Sequence, residues 1–204
     1  MKCSVLYSSI ILSFLLTTGL LIQACSEGKE TEELAEKEKF SSDTGNDWEK
    51  SPCELFGTSD LSNVFGLDGA VVDMQPDEYA GGKIKVCRYE IREKDQQYSA
   101  LIIRVERNEN TSGDRLKQRM KELKEYGAPL AGTKETQIYA SVENLGTEAA
   151  FSENIPYDKN LVIRVEERFL INIEYNKFLN GGEEIGAFQG CLSQVGKYLL
   201  EYYK

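Results

Sequence analysis

Leu101-Ile102-Ile103-Arg104-Val105-Glu106 is answered sixty residues later by Leu161-Val162-Ile163-Arg164-Val165-Glu166. In both stretches the odd positions are uniformly aliphatic, while the even ones include Arg and Glu. That is the period-two pattern of a strand with one face in a core and the other near water. The same alternation continues through Phe169, Ile171, Ile173 and Tyr175, which predicts a hairpin of Leu161–Glu166 and Phe169–Tyr175. Similar patterning predicts strands at Ala70–Gln75, Lys83–Arg92 and Tyr98–Arg107, divided by Pro76–Gly82 and Glu93–Gln97, and others near Glu135–Val142 and Thr147–Ser152. In Lys83–Arg92 the apolar phase slips from Ile84/Val86 to Cys87/Tyr89/Ile91, which predicts a bulge near Cys87.

Three stretches change to a period of three and four. Cys53–Phe65 turns Leu61, Val64 and Phe65 inward, with Thr58 as the expected N-cap. Asp114–Tyr126 puts Leu116, Met120 and Leu123 on one stripe, and Glu183–Tyr203 does so with Ile185, Phe188, Leu192, Val195, Leu199 and Tyr202. The expected class is α+β, an antiparallel sheet of about six or seven strands with three helices packed on it. The sixty-residue shift also carries the Cys53 helix onto the one after Gly113. Two readings follow: a duplicated helix–three-strand unit, or the ordinary vocabulary of half-buried strands.

The chain has 204 residues and a formal net charge of −10. Residues 26–50 hold nine acids and four lysines with few apolar side chains. They cannot bury enough surface to offset ordering entropy, so the segment reads as an acidic flexible tether. As a coil, about 25 residues average roughly 25–30 Å from end to end. Residues 51–204 fit one globular domain, itself acidic at −6, which argues against nucleic acid as a partner. The Lys117/Lys121/Lys124 stripe reads as a solvated helix flank.

Ahead of the tether, Lys2 is followed by an apolar run from Val5 to Ile22 and then Ile22-Gln23-Ala24-Cys25. This resembles a bacterial lipoprotein signal peptide over residues 1–24, ending in a lipobox with Cys25 as the lipid attachment residue. The resemblance implies a partner membrane, reached through the Cys25 lipid, and a location outside the cytoplasm, at the outer membrane or cell surface. Gln23 is larger and more polar than the residue usual at its place.

The chain contains no histidine, which excludes Ser-His-Asp and Cys-His nucleophile systems and the common His-containing zinc sites. Gly81-Gly82 and Gly181-Gly182 are turn dipeptides without the Lys and Ser/Thr of a phosphate loop. Asp68, Asp73, Asp77 and Glu78 lack calcium-loop spacing and read as acids on a strand edge and its turn. No cofactor and no metal is expected. Of the cysteines in the folded part, Cys53 opens the first helix and Cys87 lies in a strand of the same local unit, so these two are expected to pair. Cys191 is expected to be a partly buried free thiol on the last helix.

Pro52-Cys53-Glu54-Leu55-Phe56, Val64-Phe65-Gly66, Cys87-Arg88-Tyr89 and Val142-Glu143-Asn144-Leu145-Gly146-Thr147-Glu148-Ala149 are together similar to a family of secreted lipoproteins of unknown function. Thr147 departs from that family's pattern, in which the acid follows the glycine directly. The resemblance implies the location, the Cys53–Cys87 bridge and an α+β sandwich, and it implies no mechanism. The expected function is therefore non-enzymatic: a lipid-anchored envelope domain that binds a protein, a glycan or a small ligand. Its binding candidates are the aromatic residues Tyr79, Tyr157 and Phe178 on the stretches Asp77–Gly82, Phe151–Asn160 and Asn176–Glu184, read as exposed loops. The rival expectations are a carboxylate-dependent hydrolase acting on envelope glycans, and a structural or assembly lipoprotein of the outer membrane.

Overall fold

The computed structural model describes residues 48–67, 70–92, 98–178 and 188–203. The side chains of Glu153, Lys177 and Phe178 lie outside that description. So do the signal segment, the tether as far as Asp47, and the Glu183–Ala187 part of the expected last helix. Helices α1 (Pro52–Leu55) and α2 (Thr58–Phe65) lead into a meander of β1 (Val71–Tyr79), β2 (Ile84–Arg92) and β3 (Tyr98–Arg107). Helix α3 (Arg115–Tyr126) is followed by a ribbon of two very short strands, β4 (Ala128–Pro129) and β5 (Thr136–Gln137). A second meander of β6 (Tyr139–Val142), β7 (Glu148–Ile155) and β8 (Asp158–Val165) runs on into β9 (Phe169–Phe178), and α4 (Phe188–Leu200) completes the order.

These strands form one seven-stranded antiparallel sheet in the order β1-β2-β3-β9-β8-β7-β6. The fold is α+β, as the patterning predicts. The odd residues of β3, β8 and β9 converge on one face, where Leu101, Ile103, Leu161, Ile163, Ile171 and Ile173 are all fully buried. Leu61 and Phe65 of α2 and Leu192, Val195 and Leu199 of α4 pack over them. Each such side chain contributes roughly 1.5–3 kcal/mol by leaving water. Aromatic contacts join the layers: Phe65 stacks on Tyr175 at 5.8 Å, and Tyr175 meets Phe188 at 4.2 Å. On the opposite face, Leu116 and Met120 of α3 cover Ala150, Val162 and Leu170.

The chain joins the sheet earlier than composition suggests. Trp48 stacks on Phe169 at 5.9 Å, and its indole N–H donates to the Gly82 carbonyl at 2.9 Å. Lys85 donates to the carbonyls of Trp48 and Glu49, and the Tyr203 hydroxyl donates to that of Lys50. Residues 48–50 are thus part of the folded layer rather than of the tether.

Several local expectations are corrected. The first helix is two pieces, because the chain bends at Phe56–Gly57, where the Phe56 carbonyl accepts from the buried Tyr89 hydroxyl. Gly57, not Thr58, holds the N-cap of α2, and its N–H donates to the Asp60 carboxylate. No bulge interrupts β2: its register with β1 and β3 is continuous, and Ile84 and Val86 are half-buried residues of the face opposite Cys87. The register shift instead falls between Ser152 and Ile155. The expected Glu135–Val142 strand splits at Ile138, where the Asn154 side chain takes over the pairing, accepting from Ile138 N–H and donating to the Thr136 carbonyl. The sixty-residue recurrence does not map onto the sheet. Ile103 and Leu161 face Ile173 from its two sides, 58 residues apart. In this strand order a copied unit would be turned over, sending Leu161 and Ile163 to the face opposite Leu101 and Ile103, whereas both pairs lie in the one core under α2 and α4.

Cys53 and Cys87 form the expected disulfide, with Cα atoms 5.1 Å apart. A structural bridge of this kind belongs to an oxidising, extracytoplasmic compartment. Cys191 is not the free thiol expected of it: it is disulfide-bonded, and its partner lies outside the described residues. Among the described residues no helix is long and apolar enough to cross a membrane.

Non-reducing digestion should recover Cys53 and Cys87 in one linked peptide pair. Replacing both by alanine should lower the unfolding free energy by roughly 3–4 kcal/mol in denaturant titration, the chain-entropy value for a loop of this length. Gly127 ends α3 at φ +73°, and a Cβ there would stand 2.2 Å from the Gln137 carbonyl oxygen. Gly127→Ala should therefore cost more than about 2 kcal/mol in the same titration and pull β4 from β5.

Candidate functional site

Helix α3 covers only half of its face of the sheet. Its first turn lies by the β8–β9 turn, where Glu167 accepts from the backbone N–H groups of Leu116 and Lys117 at 2.8 and 2.9 Å. A carboxylate there satisfies otherwise unpaired donors and complements the helix dipole. At the flank of α3, Arg119 and Arg115 hold Glu106 at 2.9 and 3.1 Å. Burial pushes the Glu106 carboxyl up, but Arg119, Arg115 and Arg104 outweigh it and hold the group below the usual range. Glu148, bound by Lys124 and Arg164, is held low in the same way against the opposing effect of burial. These ion pairs fasten the helix.

The other half of that face is polar. β8 contributes Asp158 and Asn160, and β9 contributes Glu174 and Asn176, with Asp158 directly across from Asn176 and Asn160 across from Glu174. The pairs are about 5 Å apart across the strands and about 7 Å along them, so the four side chains form one compact block. Asp158 is 3% exposed and Asn160 5%. Gln137 Nε2 donates to Asp158 Oδ1 at 2.7 Å, Gln137 Oε1 accepts from the Tyr139 hydroxyl, and Asn176 Nδ2 donates to Glu174 at 2.6 Å. After those bonds the amide oxygens of Asn160 and Asn176 still have no partner, and neither does that of Asn172, next along β9. Buried acceptors are nearly always paired, so three together mark a place built to receive donors.

Electrostatics agree. Burial pushes the Asp158 carboxyl up to about 6, the negative charge of Glu174 adds to this, and the Gln137 amide and Lys159 act against it. Burial, with Asp158 and Glu174, also pushes the Tyr139 phenol upward. Arg104 stands across from Asn172 at the far end of the polar strip and is engaged with Glu106.

The sequence-derived candidates do not converge. Tyr79, 53% exposed, ends the edge strand β1, and its hydroxyl donates to Asp77. That bond raises the phenol and lowers the carboxyl. It lies at the end of the sheet away from the polar block. Tyr157, 43% exposed, sits in the β7–β8 turn beside Asp158, and its hydroxyl donates to Glu135. Phe178 closes β9 across from Tyr98, at the same end as the block. Of the three stretches read as loops, Phe151–Asn160 is mostly strand, Asp77–Tyr79 ends β1 ahead of a turn, and Asn176–Phe178 ends β9, with residues 179–184 outside the described residues. The block itself leaves a trace in the sequence, polar residues at alternate positions in Asp158-x-Asn160 and Asn172-x-Glu174-x-Asn176, which reads as a solvent-facing row.

Among the described residues no group of three or more His, Cys, Asp or Glu side chains could hold a metal ion. No family model, curated protein or solved structure matches the chain.

Asp158 gives a pH test. Its folded-state pKa lies above the ordinary value, so the folded form keeps the proton longer. The stability tied to it is present below about pH 4 and is lost as the pH rises through 6. Asp158→Asn keeps the acceptor for Gln137 and removes the charge. Relative to wild type, this variant should gain about 3 kcal/mol between pH 4 and pH 7 in chemical denaturation. A difference that stays flat over this range would rule out the raised carboxyl.

Proposed function

We propose that this chain is a lipid-anchored cell-envelope protein whose folded part is a binding module, and that its ligand is received by the polar half of the α3 face. The observation that carries the reading is the block of buried, partnerless acceptors around Asp158 and Asn160. A purely structural sheet face would be apolar or open to water, since each unpaired buried acceptor costs about 1–3 kcal/mol. The Tyr157 ring and the end of β9 at Phe178 stand at the rim of the same block. The address rests on the Lys2-to-Cys25 segment and the acidic tether, in keeping with the oxidised Cys53–Cys87 pair. The resemblance to secreted lipoproteins points the same way.

One observation favours the hydrolase reading as well: burial lifts the Asp158 carboxyl to about 6 next to a second carboxylate, Glu174, the relation used by carboxylate acid–base pairs. Against it, Asp158 is almost fully buried and one of its oxygens is taken by Gln137. A general acid must reach the leaving group within hydrogen-bond distance.

Two measurements test the proposal. Mass spectrometry of the membrane-extracted protein should find an acylated peptide starting at Cys25, and Cys25→Ser should release the chain from membranes. A native peptide still carrying Met1–Ala24 would refute the anchor. Cys3 and Cys25 are the cysteines outside the described residues, so cleavage before a lipidated Cys25 and a disulfide on Cys191 within one chain exclude each other, and the same digest decides between them. The full chain should then be screened against peptidoglycan fragments, polysaccharides and peptides for binding and for product. Binding lost on truncating Tyr157 supports the module. Product formation abolished by Asp158→Asn or Glu174→Gln would establish the hydrolase instead.

A further inference from the structure

We infer that the block formed by Asp158, Asn160, Glu174 and Asn176 receives a primary ammonium group carried on an unbranched aliphatic stem, as in a lysine side chain. This rests on the reading of the polar face as a ligand site and names the chemistry that fits it. The unpartnered atoms, Asn160 Oδ1 and Asn176 Oδ1, are both acceptors. The charged groups of the block are carboxylates, with Glu174 across from Asn160 on the same face. What such a place lacks is donors and positive charge. An ammonium offers three N–H donors and one charge, which match two amide oxygens and one carboxylate.

Other cations fit less well. Calcium takes six to eight oxygens at about 2.4 Å, more than the block can turn to one point while Asp158 holds Gln137. A guanidinium is planar and spreads its five donors over a wide fork, which suits a paired carboxylate better than two separate amides. The stem follows from access. Asn160 and Asp158 are 5% and 3% exposed, with Gln137 of β5 bonded to Asp158, Tyr139 of β6 bonded to Gln137, and buried Ser152 of β7 directly across from Asn160. A slender methylene chain can reach Asn160 past half-buried Glu174 and Asn176. A sugar ring bearing its amine directly brings its full width to within one bond of the nitrogen.

The full chain labelled with 15N should be titrated with Nα-acetyl-lysine amide, following the side-chain amides of Asn160 and Asn176. Both should shift and saturate. Nα,Nε-diacetyl-lysine amide, which keeps the stem and loses the charge, should bind at least roughly tenfold more weakly, as should wild-type ligand to Glu174→Gln or Asn160→Ala. The backbone resonances of each variant show directly whether it has folded. Cadaverine should mimic the lysine derivative. Glucosamine binding as tightly would overturn the aliphatic stem, and calcium chloride shifting the same amides more strongly would overturn the ammonium. No response to any amine would also overturn the inference, leaving the two amides to ordered water. A ligand from the broader screen that binds and survives Glu174→Gln would sink this inference while leaving the binding module standing. If neither screen nor amine gives binding, both fall.

Discussion

Everything in this fold hangs on β9 being hydrogen-bonded on both sides. β1–β3 and β6–β8 are each local meanders, and it is β9, pairing Ile173 with Ile103 on one side and Leu161 on the other, that makes them one sheet. Its β8 partner arrives by a tight turn, but its β3 partner ends about sixty residues upstream, so that ladder must offset a large loop-closure entropy. The junction is reinforced where it is most exposed to fraying. Asn108, buried at the end of β3, takes the Arg168 carbonyl with its backbone and the Glu167 carbonyl with its side chain. Thr147 closes the same corner: its hydroxyl accepts from Glu166, a residue held at φ +51°. The threonine that departs from the lipoprotein pattern thus has a structural duty.

The two faces of the sheet meet different fates. The face under α2 and α4 is apolar across its centre, with Lys85, Ser99 and Lys159 toward the strand ends, and is tied to the N-terminal pieces by the Cys53–Cys87 bridge, the Tyr89 hydroxyl and the Trp48 stack. The face under α3 is divided. A helix of twelve residues is about 18 Å long, shorter than the width it would need to cover. Gly127 turns the chain back as a β4–β5 ribbon, and Gln137 comes down on Asp158. Polar side chains that would otherwise lie open are enclosed, with more acceptors than the enclosing groups can satisfy. The arrangement that limits stability is the one that gives this face its chemical character.

The patterning made the class of fold legible, and residues such as Leu101, Ile163 and Leu192 sit where their periodicity puts them. The disulfide was legible too, because a helix and the strand it covers are close along the chain as well as in space. The helix at Cys53–Phe65 and the strand at Glu135–Val142 were legible as elements but not as broken ones. Their breaks come from Tyr89 and Asn154, which act from other strands.

Alternation in a strand says that two sets of residues face opposite ways, and no more. For β8 and β9 the odd set had to be core, because its aliphatic side chains have no other low-energy place. The even set, Asp158, Asn160, Glu174 and Asn176, had no such constraint: polar residues are stable in water and tolerable under cover when bonded. Whether they are covered depends on where α3 stops and what Gln137 lies against, both set by contacts between residues far apart in the chain. Hydrophobic burial is the strong term, local in its signature and therefore written in the sequence. The placement of the polar block is a residue of packing, and it becomes visible only when the layers are assembled.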